Sequence, residues 1–221
     1  VGDDAIGAAL VAELVADGVD ASFVRRAGRT GTIVVLVDAD GERSMLTDRA
    51  ACVALDRPVE HWLDDVRVLH VPMYSLVIAP LATTALEVAR WAHDRGIAVS
   101  VDVSSVALVE QVGVAAVLSM LDELRPSVVL ANEIEAAALG ATYPISGAIT
   151  VVKQGPDPAL VFTAEGRREV PTSPIESGAD TTGAGDAFAA GFLTADWSAD
   201  PVAACRSGHA VAADVIGRRP S

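Results

Sequence analysis

Three successive segments of the chain read IAVSVDV (residues 97–103), VALVEQVGVAAVLSMLDEL (residues 106–124) and SVVLA (residues 127–131). The first and third are short, valine-rich apolar runs, which are typical of strands buried on both faces. The middle segment has the length and apolar spacing of a helix. A helix that joins two such strands predicts a right-handed crossover between parallel neighbours.

The same alternation continues on both sides of these segments. A helix over residues 7–15 comes first, with apolar residues on one stripe. The remaining segments predict strands at 66–71 and 149–152, helices at 80–95, 132–139, 185–194 and 201–216, and an extended pair at 159–163 and 167–170. This order predicts an α/β fold of three layers, a central and mostly parallel sheet with helices on both faces.

A β-hairpin is predicted ahead of the sheet. Residues 32–37 form a continuous β-branched and apolar run, Asp40 and Gly41 supply a tight turn, and residues 42–46 return. Because the first strand is apolar on both faces, we expect both to be covered, one of them by the body of the protein.

Composition and charge exclude several classes of protein. The 221 residues are 51% hydrophobic and carry 30 acidic against 16 basic side chains, a net charge of −14. Without a basic stripe, this excess disfavours nucleic-acid and membrane-surface binding. No apolar window is long enough for a membrane span, and the acidic start is unlike a signal peptide. Cys52 and Cys205 are too far apart for a paired motif, so we expect a reducing, cytoplasmic location.

The segment DTTGAGDAFAAG (residues 180–191) carries the chemistry. Its small residues, Gly183 to Gly185, let backbone N–H groups approach an anion at the start of a helix. A carboxylate at Asp186 would repel a bound phosphate, so it suits a base that accepts the proton of an attacking hydroxyl. A P-loop is excluded because Lys153, the only lysine, lies elsewhere, and Phe188 breaks a dinucleotide fingerprint.

This segment resembles the signature of the ribokinase-like, or PfkB, carbohydrate kinases, and the resemblance extends over essentially the whole chain. It implies a single ribokinase-like domain over residues 1–221, with residues 31–47 as part of a β lid. It implies that Asp186 is the catalytic base and that Gly183, Ala184 and Gly185 form an anion hole. Asp180 and Thr182 would hold a monovalent cation such as K⁺.

Other motifs extend the resemblance to the nucleotide. Asn132 and Glu135 resemble the N-x-x-E motif, which implies Mg²⁺ held through water, although the same pair suits an ordinary helix start. Lys153 and Gly155 resemble the strand and turn against the phosphates. Pro158 stands where a second glycine is usual, so we expect a stiffer loop with fewer N–H groups.

Two further residues have alternative interpretations. His209 aligns with a position near the adenine but is equally a helix-face histidine, and Tyr74 either contacts the sugar or caps the core. The glycine pair and asparagine that grip sugar hydroxyls in the family have no counterpart in residues 1–221. We therefore expect a missing first strand, a shortened bridge at residues 141–148 and a shortened end.

The resemblance implies an ATP-dependent kinase that phosphorylates a hydroxyl of a small sugar or sugar acid, with ATP and Mg²⁺ as cofactors. A nucleoside kinase is an alternative that the 4% aromatic content disfavours. A catalytically idle sugar- or nucleotide-binding protein is another, because of Pro158 and the missing sugar-gripping residues. The apolar hairpin predicts a homodimer formed lid to lid.

Overall fold

The computed structural model describes residues 1–37, 43–140, 142–172 and 181–218. Asp40, Gly41 and Asp180 therefore lie outside the described residues. In chain order the helices and strands are α1 (Ala5–Ala16), β1 (Thr32–Val37), β2 (Arg43–Asp48), β3 (Val68–Pro72), α2 (Leu81–Asp94), β4 (Ala98–Asp102), α3 (Val106–Val112), α4 (Val114–Leu124), β5 (Val128–Asn132), α5 (Glu133–Leu139), β6 (Ile149–Gln154), β7 (Asp157–Thr163), β8 (Gly166–Val170), α6 (Ala184–Thr194) and α7 (Pro201–Gly217).

The main sheet has the order β3-β4-β5-β6-β7-β8. The first four strands are parallel, and β7 and β8 add to one side as antiparallel strands. The register pairs Pro72 with Asp102 and Asn132 with Lys153. The carboxyl ends of the parallel strands therefore meet at one edge, where ligands bind in open α/β sheets.

Helices cover both faces of this sheet. Val128 and Leu130 point to one face, where they join a buried cluster with Phe188 and Phe192 of α6 and Cys205 of α7. The residues that alternate with them in β5 are buried as well, and α5 packs beside β5 and β6. The predicted three-layer α/β fold is confirmed. No helix in the described ranges has both the length and the hydropathy needed to cross a bilayer.

The chain divides into two compact units, and the last of the three boundaries between them falls within α2. The first unit comprises Val1–Asp65 and Ser75–Trp91, and the second comprises Val66–Tyr74 and Ala92–Ser221. The hairpin β1-β2 belongs to the first unit and the six-stranded sheet to the second. Cys52 and Cys205 are free thiols.

The prediction of one helix over residues 106–124 is wrong. Two helices, α3 and α4, meet at Gly113, which has a φ of 91°. Glycine adopts this left-handed backbone without the penalty of a side chain, so the chain ends one helix there and starts the next.

The apolar side chains of the hairpin are exposed, so the expectation that both faces of its first strand are covered is wrong. The large apolar side chains on both faces of β1 and β2 are between 45% and 63% exposed; they are Ile33, Val34, Val35, Leu36, Met45 and Leu46. The apolar stripe of α1 is also exposed, and Gly7 is its only buried residue. The spacing of the apolar residues thus predicts the helix correctly, but it does not predict whether those residues are buried.

Pro158 lies in β7 and not in a nucleotide loop. Gln154 pairs directly with Asp157, so the turn between β6 and β7 contains only Gly155, at a φ of 58°, and Pro156. The strand pairing shifts register at this point, where a residue without an N–H is tolerated.

Candidate active site

A cavity of about 910 Å³ opens at the carboxyl edge of the parallel strands. Strands β3 to β6, the start of α6 and one face of α7 line it. The predicted site residues that line this one cavity are Tyr74, Asn132, Glu135, Lys153, Gly155, Gly183, Ala184, Gly185, Asp186 and His209. Thr182 is outside the lining, and its neighbour Thr181 takes part instead. The prediction for Asp180 lies outside the described residues.

The glycine-rich turn leads directly into α6. Gly183 is the N-cap residue with a φ of 77°, a conformation that glycine adopts at no steric cost. The N–H of Ala184 donates to the carbonyl of Thr181 at 3.0 Å, which closes the turn. Asp186 lies in the first turn of α6 and is exposed to the cavity. A helix start presents backbone N–H groups and a positive dipole end, so this turn suits an anion.

Asn132 and Glu135 form a reciprocal cap at the start of α5. The Asn132 side chain accepts a hydrogen bond from the Glu135 N–H, and the Glu135 carboxylate accepts one from the Asn132 N–H, both at 2.8 Å. Glu135 is only 5% exposed. Burial raises the pKa of its carboxyl group, and nearby Asp102 adds to the rise. Asn132 and Glu135 therefore cap a helix start, as one interpretation of the motif expects, and they also line the cavity.

Sequence reasoning missed the partner of Lys153. The Nζ atom of Lys153 donates to the Oδ2 atom of Asp102 at 2.7 Å. Asp102 is the last residue of β4, at the same edge of the sheet as Asn132. A polar residue at the carboxyl end of a buried strand was therefore a signal that could have identified Asp102.

His209 lies on α7 with an unpaired ring nitrogen. Its Nε2 atom is buried without a hydrogen-bond partner, and its ring packs edge-on to Phe188 at a centroid distance of 5.1 Å. Burial lowers the pKa of the imidazole, and the nearby Val170 backbone partly opposes this shift.

Tyr74 and His70 also line the cavity. Tyr74 follows β3 and is 39% exposed, and so it lines the cavity without serving as a core residue. The Nδ1 atom of His70 lies 2.7 Å from the hydroxyl of Ser100, which is fully buried on β4. This contact fixes the imidazole at the cavity wall.

The carboxylates that line the cavity suit Mg²⁺ as a ligand type, but they do not form a complete ligand set for it. Asp102, Glu135 and Asp186 supply carboxylate oxygens, the ligand type that Mg²⁺ prefers. Across the described ranges, however, no group of three or more His, Cys, Asp or Glu side chains converges closely enough to hold a metal ion. These residues are therefore compatible with an ion that keeps most of its water and binds chiefly to substrate phosphates.

Comparison with known proteins gives three results. The family model described as pfkB family carbohydrate kinase matches residues 1–220. An ATP-dependent ribose-1-phosphate kinase from Halopiger xanaduensis is 36% identical over 208 residues, which cover 90% of this chain and 66% of that protein. An uncharacterized sugar kinase from Archaeoglobus fulgidus is 30% identical, with 98% and 88% covered. The chain thus spans just under two thirds of the length of the first relative.

A solved structure agrees with these matches. The crystal structure of an adenosine kinase from Sinorhizobium meliloti superposes with a TM-score of 0.80 at 28% identity. The match covers 100% of this chain and 72% of that one. The whole described architecture is therefore present within a known kinase fold.

Proposed function

The chain belongs to the pfkB family of carbohydrate kinases, and we propose that it transfers the terminal phosphoryl group of ATP to a hydroxyl of a small sugar or sugar acid. The observation that carries this proposal is the placement of Asp186 beside the glycine-rich turn, in the same cavity as Lys153. A base, an anion-binding helix start and a cation in one cavity are the parts that phosphoryl transfer needs.

In the proposed mechanism, Asp186 accepts the proton of the acceptor hydroxyl while the hydroxyl oxygen attacks the terminal phosphorus in line, and the bond to the β-phosphate breaks to release ADP. The start of α6 directs its N–H groups and dipole toward the phosphoryl oxygens, where negative charge grows in the transition state. Lys153 adds a positive charge near the same turn. Mg²⁺ would neutralise phosphate charge when bound, with Glu135 orienting its water.

The nucleotide end of the cavity is assigned to α7 and the β6-β7 turn. His209 of α7 lines this end of the cavity, and we assign its ring to contact with the adenine. Gly155 lets the backbone lie close to the nucleotide. Asp180 and Thr182 remain the proposed holders of a monovalent cation, and K⁺ dependence of turnover tests that assignment.

The acceptor is best sought first among pentoses. The 36% identity to a ribose-1-phosphate kinase makes ribose 1-phosphate the first candidate. A nucleoside acceptor is the second candidate, because the solved adenosine kinase is 28% identical and has the same fold. Tyr74 and Phe188 are the aromatic residues among the described cavity lining, and a nucleoside base would have to pack against one of them.

The experiment is an ADP-release assay with ATP, Mg²⁺ and a panel of acceptors. The panel contains ribose 1-phosphate, free pentoses and hexoses, sugar acids and adenosine. Turnover with a sugar supports the proposal, and turnover with adenosine alone favours a nucleoside kinase. Binding of a nonhydrolysable ATP analogue without turnover on any acceptor would identify an idle nucleotide-binding protein and contradict the proposal.

We also propose that two copies associate through the hairpin β1-β2. Its apolar side chains are exposed on both faces, which is unfavourable in water for a six-residue strand. Light scattering should then give the mass of a dimer. Val34→Asp should shift it to a monomer, whereas Val59→Asp, at another exposed valine of the same unit, should not; a monomeric wild type would contradict the proposal.

A further inference from the structure

The ion pair between Asp102 and Lys153 spans an intervening strand. Asp102 ends β4 and Lys153 lies in β6, with β5 between them in the sheet. The pairing register places Lys153 beside Asn132, the last residue of β5. The lysine side chain must therefore cross the carboxyl end of β5 to reach Asp102, and both residues line the cavity.

The pair is largely shielded from water. The side chains of Lys153 and Asp102 are 16% and 15% exposed, and their charged atoms are 2.7 Å apart. Removal of water from two charges is costly, so such a pair is a weak source of stability, but loss of one partner leaves the other charge uncompensated. A pair of this kind is better explained by a requirement for one fixed position of the ammonium group.

That position lies next to the glycine-rich turn. A methyl group built at Gly185 would be 3.5 Å from the Nζ atom of Lys153. Lys153 is also the only Lys or Arg among the described residues that line the cavity, whereas Asp102, Glu135 and Asp186 are all acidic. An incoming phosphate would therefore meet a single cationic side chain, so the effect of that charge depends on the direction in which the side chain points.

We propose that Asp102 is a positioning residue that holds the ammonium group of Lys153 against the turn at Gly185, where it stabilises the transferring phosphoryl group. The inference rests on the proposed kinase function. Asp102 does not touch the substrate in this account. It restricts a flexible side chain to the one geometry in which its charge acts on the transition state, and misplacement by about 1 Å is enough to lower a rate strongly.

A second explanation is that Asp102 only balances the lysine charge. The two explanations differ in their effect on binding and rate. A mere counter-ion repels nucleotide phosphates, so its removal by Asp102→Asn would tighten nucleotide binding and leave kcat unchanged. A positioning residue affects kcat, because the geometry of Lys153 is needed in the transition state.

The kinetic test is a double-mutant cycle with Asp102→Asn and Lys153→Met. We expect Asp102→Asn to lower kcat by about 10- to 100-fold while the affinity for a nonhydrolysable ATP analogue does not weaken by more than about threefold. The double variant should be no slower than Lys153→Met alone, because Asp102 acts through Lys153. Asp102→Glu should recover part of kcat. Glu169→Gln, which breaks the exposed pair with Arg167, is the matched control and should have no effect.

A second readout is independent of turnover. These 221 residues contain a single lysine, so labelling them with ¹³Cε-lysine gives one NMR signal. In the wild type, this signal should differ from free lysine and shift on addition of the ATP analogue but not of adenosine. In Asp102→Asn it should move to the position of free lysine before any ligand is added.

The outcomes separate the inference from the proposed function. No turnover on any acceptor, with the expected NMR shifts, would overturn the kinase proposal but support the positioning of Lys153. Normal kcat in Asp102→Asn, additive effects in the double variant, or an unchanged lysine signal would each overturn the role of Asp102.

Discussion

Asn132 and Glu135 each accept a hydrogen bond from the other's backbone N–H, at 2.8 Å in both directions. This reciprocal cap fixes the start of α5 at the carboxyl end of β5. The cap also occupies one carboxylate oxygen of Glu135, Oε2, in a hydrogen bond that stabilises the helix start. A residue proposed to orient water around Mg²⁺ is therefore held in place by the backbone that it caps.

Replacement of Glu135 by Gln should change stability in a pH-dependent way. Burial raises the pKa of the Glu135 carboxyl group, so the folded protein binds this proton more tightly than the unfolded chain does. The wild type therefore loses stability as pH rises from about 4.5 through the folded pKa, and the variant does not. In thermal unfolding measured across pH, the stability of the variant relative to the wild type should rise over this interval and then stay constant.

The same substitution tests the proposed magnesium role. Glu135→Gln should raise the Mg²⁺ concentration for half-maximal activity by about 10- to 100-fold. Glu133→Gln, at an exposed glutamate in the same helical turn, is the control. Equal Mg²⁺ dependence in both variants would argue that Glu135 only caps the helix.

Close packing of α6 and α7 depends on Gly191. A Cβ atom at this position would lie 2.7 Å from the Ser207 carbonyl and 2.8 Å from a methyl group of Val211. Gly191→Ala should therefore force the helices apart and lower the free energy of unfolding by about 1–3 kcal/mol, measured by urea denaturation. Gly217→Ala at the open end of α7 should not destabilise the protein; equal effects would contradict this account of the packing.

Asp4 should make the first unit sensitive to acid. Its carboxylate caps α1 through the Gly7 N–H and accepts two hydrogen bonds from Thr30. The Thr30 hydroxyl, followed by these backbone donors, lowers the pKa of Asp4 to about 2. The resulting stability is present above the ordinary value of 3.8 and is lost as pH falls through about 2.

Asp4→Asn should accordingly lower the unfolding temperature at neutral pH, with a difference that shrinks in acid. Circular dichroism melts at a series of pH values measure it. Asp3→Asn, at the exposed neighbouring carboxylate, should match the wild type. A difference for Asp4→Asn that stays constant down to about pH 2 would show that the carboxylate charge is not responsible.

The strand and helix order was predictable because it depends on local patterns. The valine runs of β4 and β5 are buried on both faces, so they identify a parallel sheet without knowledge of their neighbours. The motif at Gly183 to Asp186 was also readable, since a helix start with glycine and a carboxylate is encoded in adjacent residues. The break at Gly113 has a local signal too, but one glycine inside a helical pattern is ambiguous.

Long-range relationships were not readable in the same way. The pair of Asp102 and Lys153 is separated by 51 positions and exists only because β4 and β6 flank β5. The exposure of β1 and α1 was missed because an apolar pattern shows which face needs a partner, but not whether that partner is present.

Asp186 is the proposed base in phosphoryl transfer, and Asp186→Asn tests that role. ADP release should be measured with the acceptor that the wild type uses, next to Asp196→Asn, an exposed aspartate just beyond the end of α6, as the control. Asp186→Asn should reduce kcat by about 10²- to 10⁴-fold while affinity for a nonhydrolysable ATP analogue is retained, and Asp196→Asn should behave as the wild type. A kcat for Asp186→Asn close to that of the wild type would contradict the account.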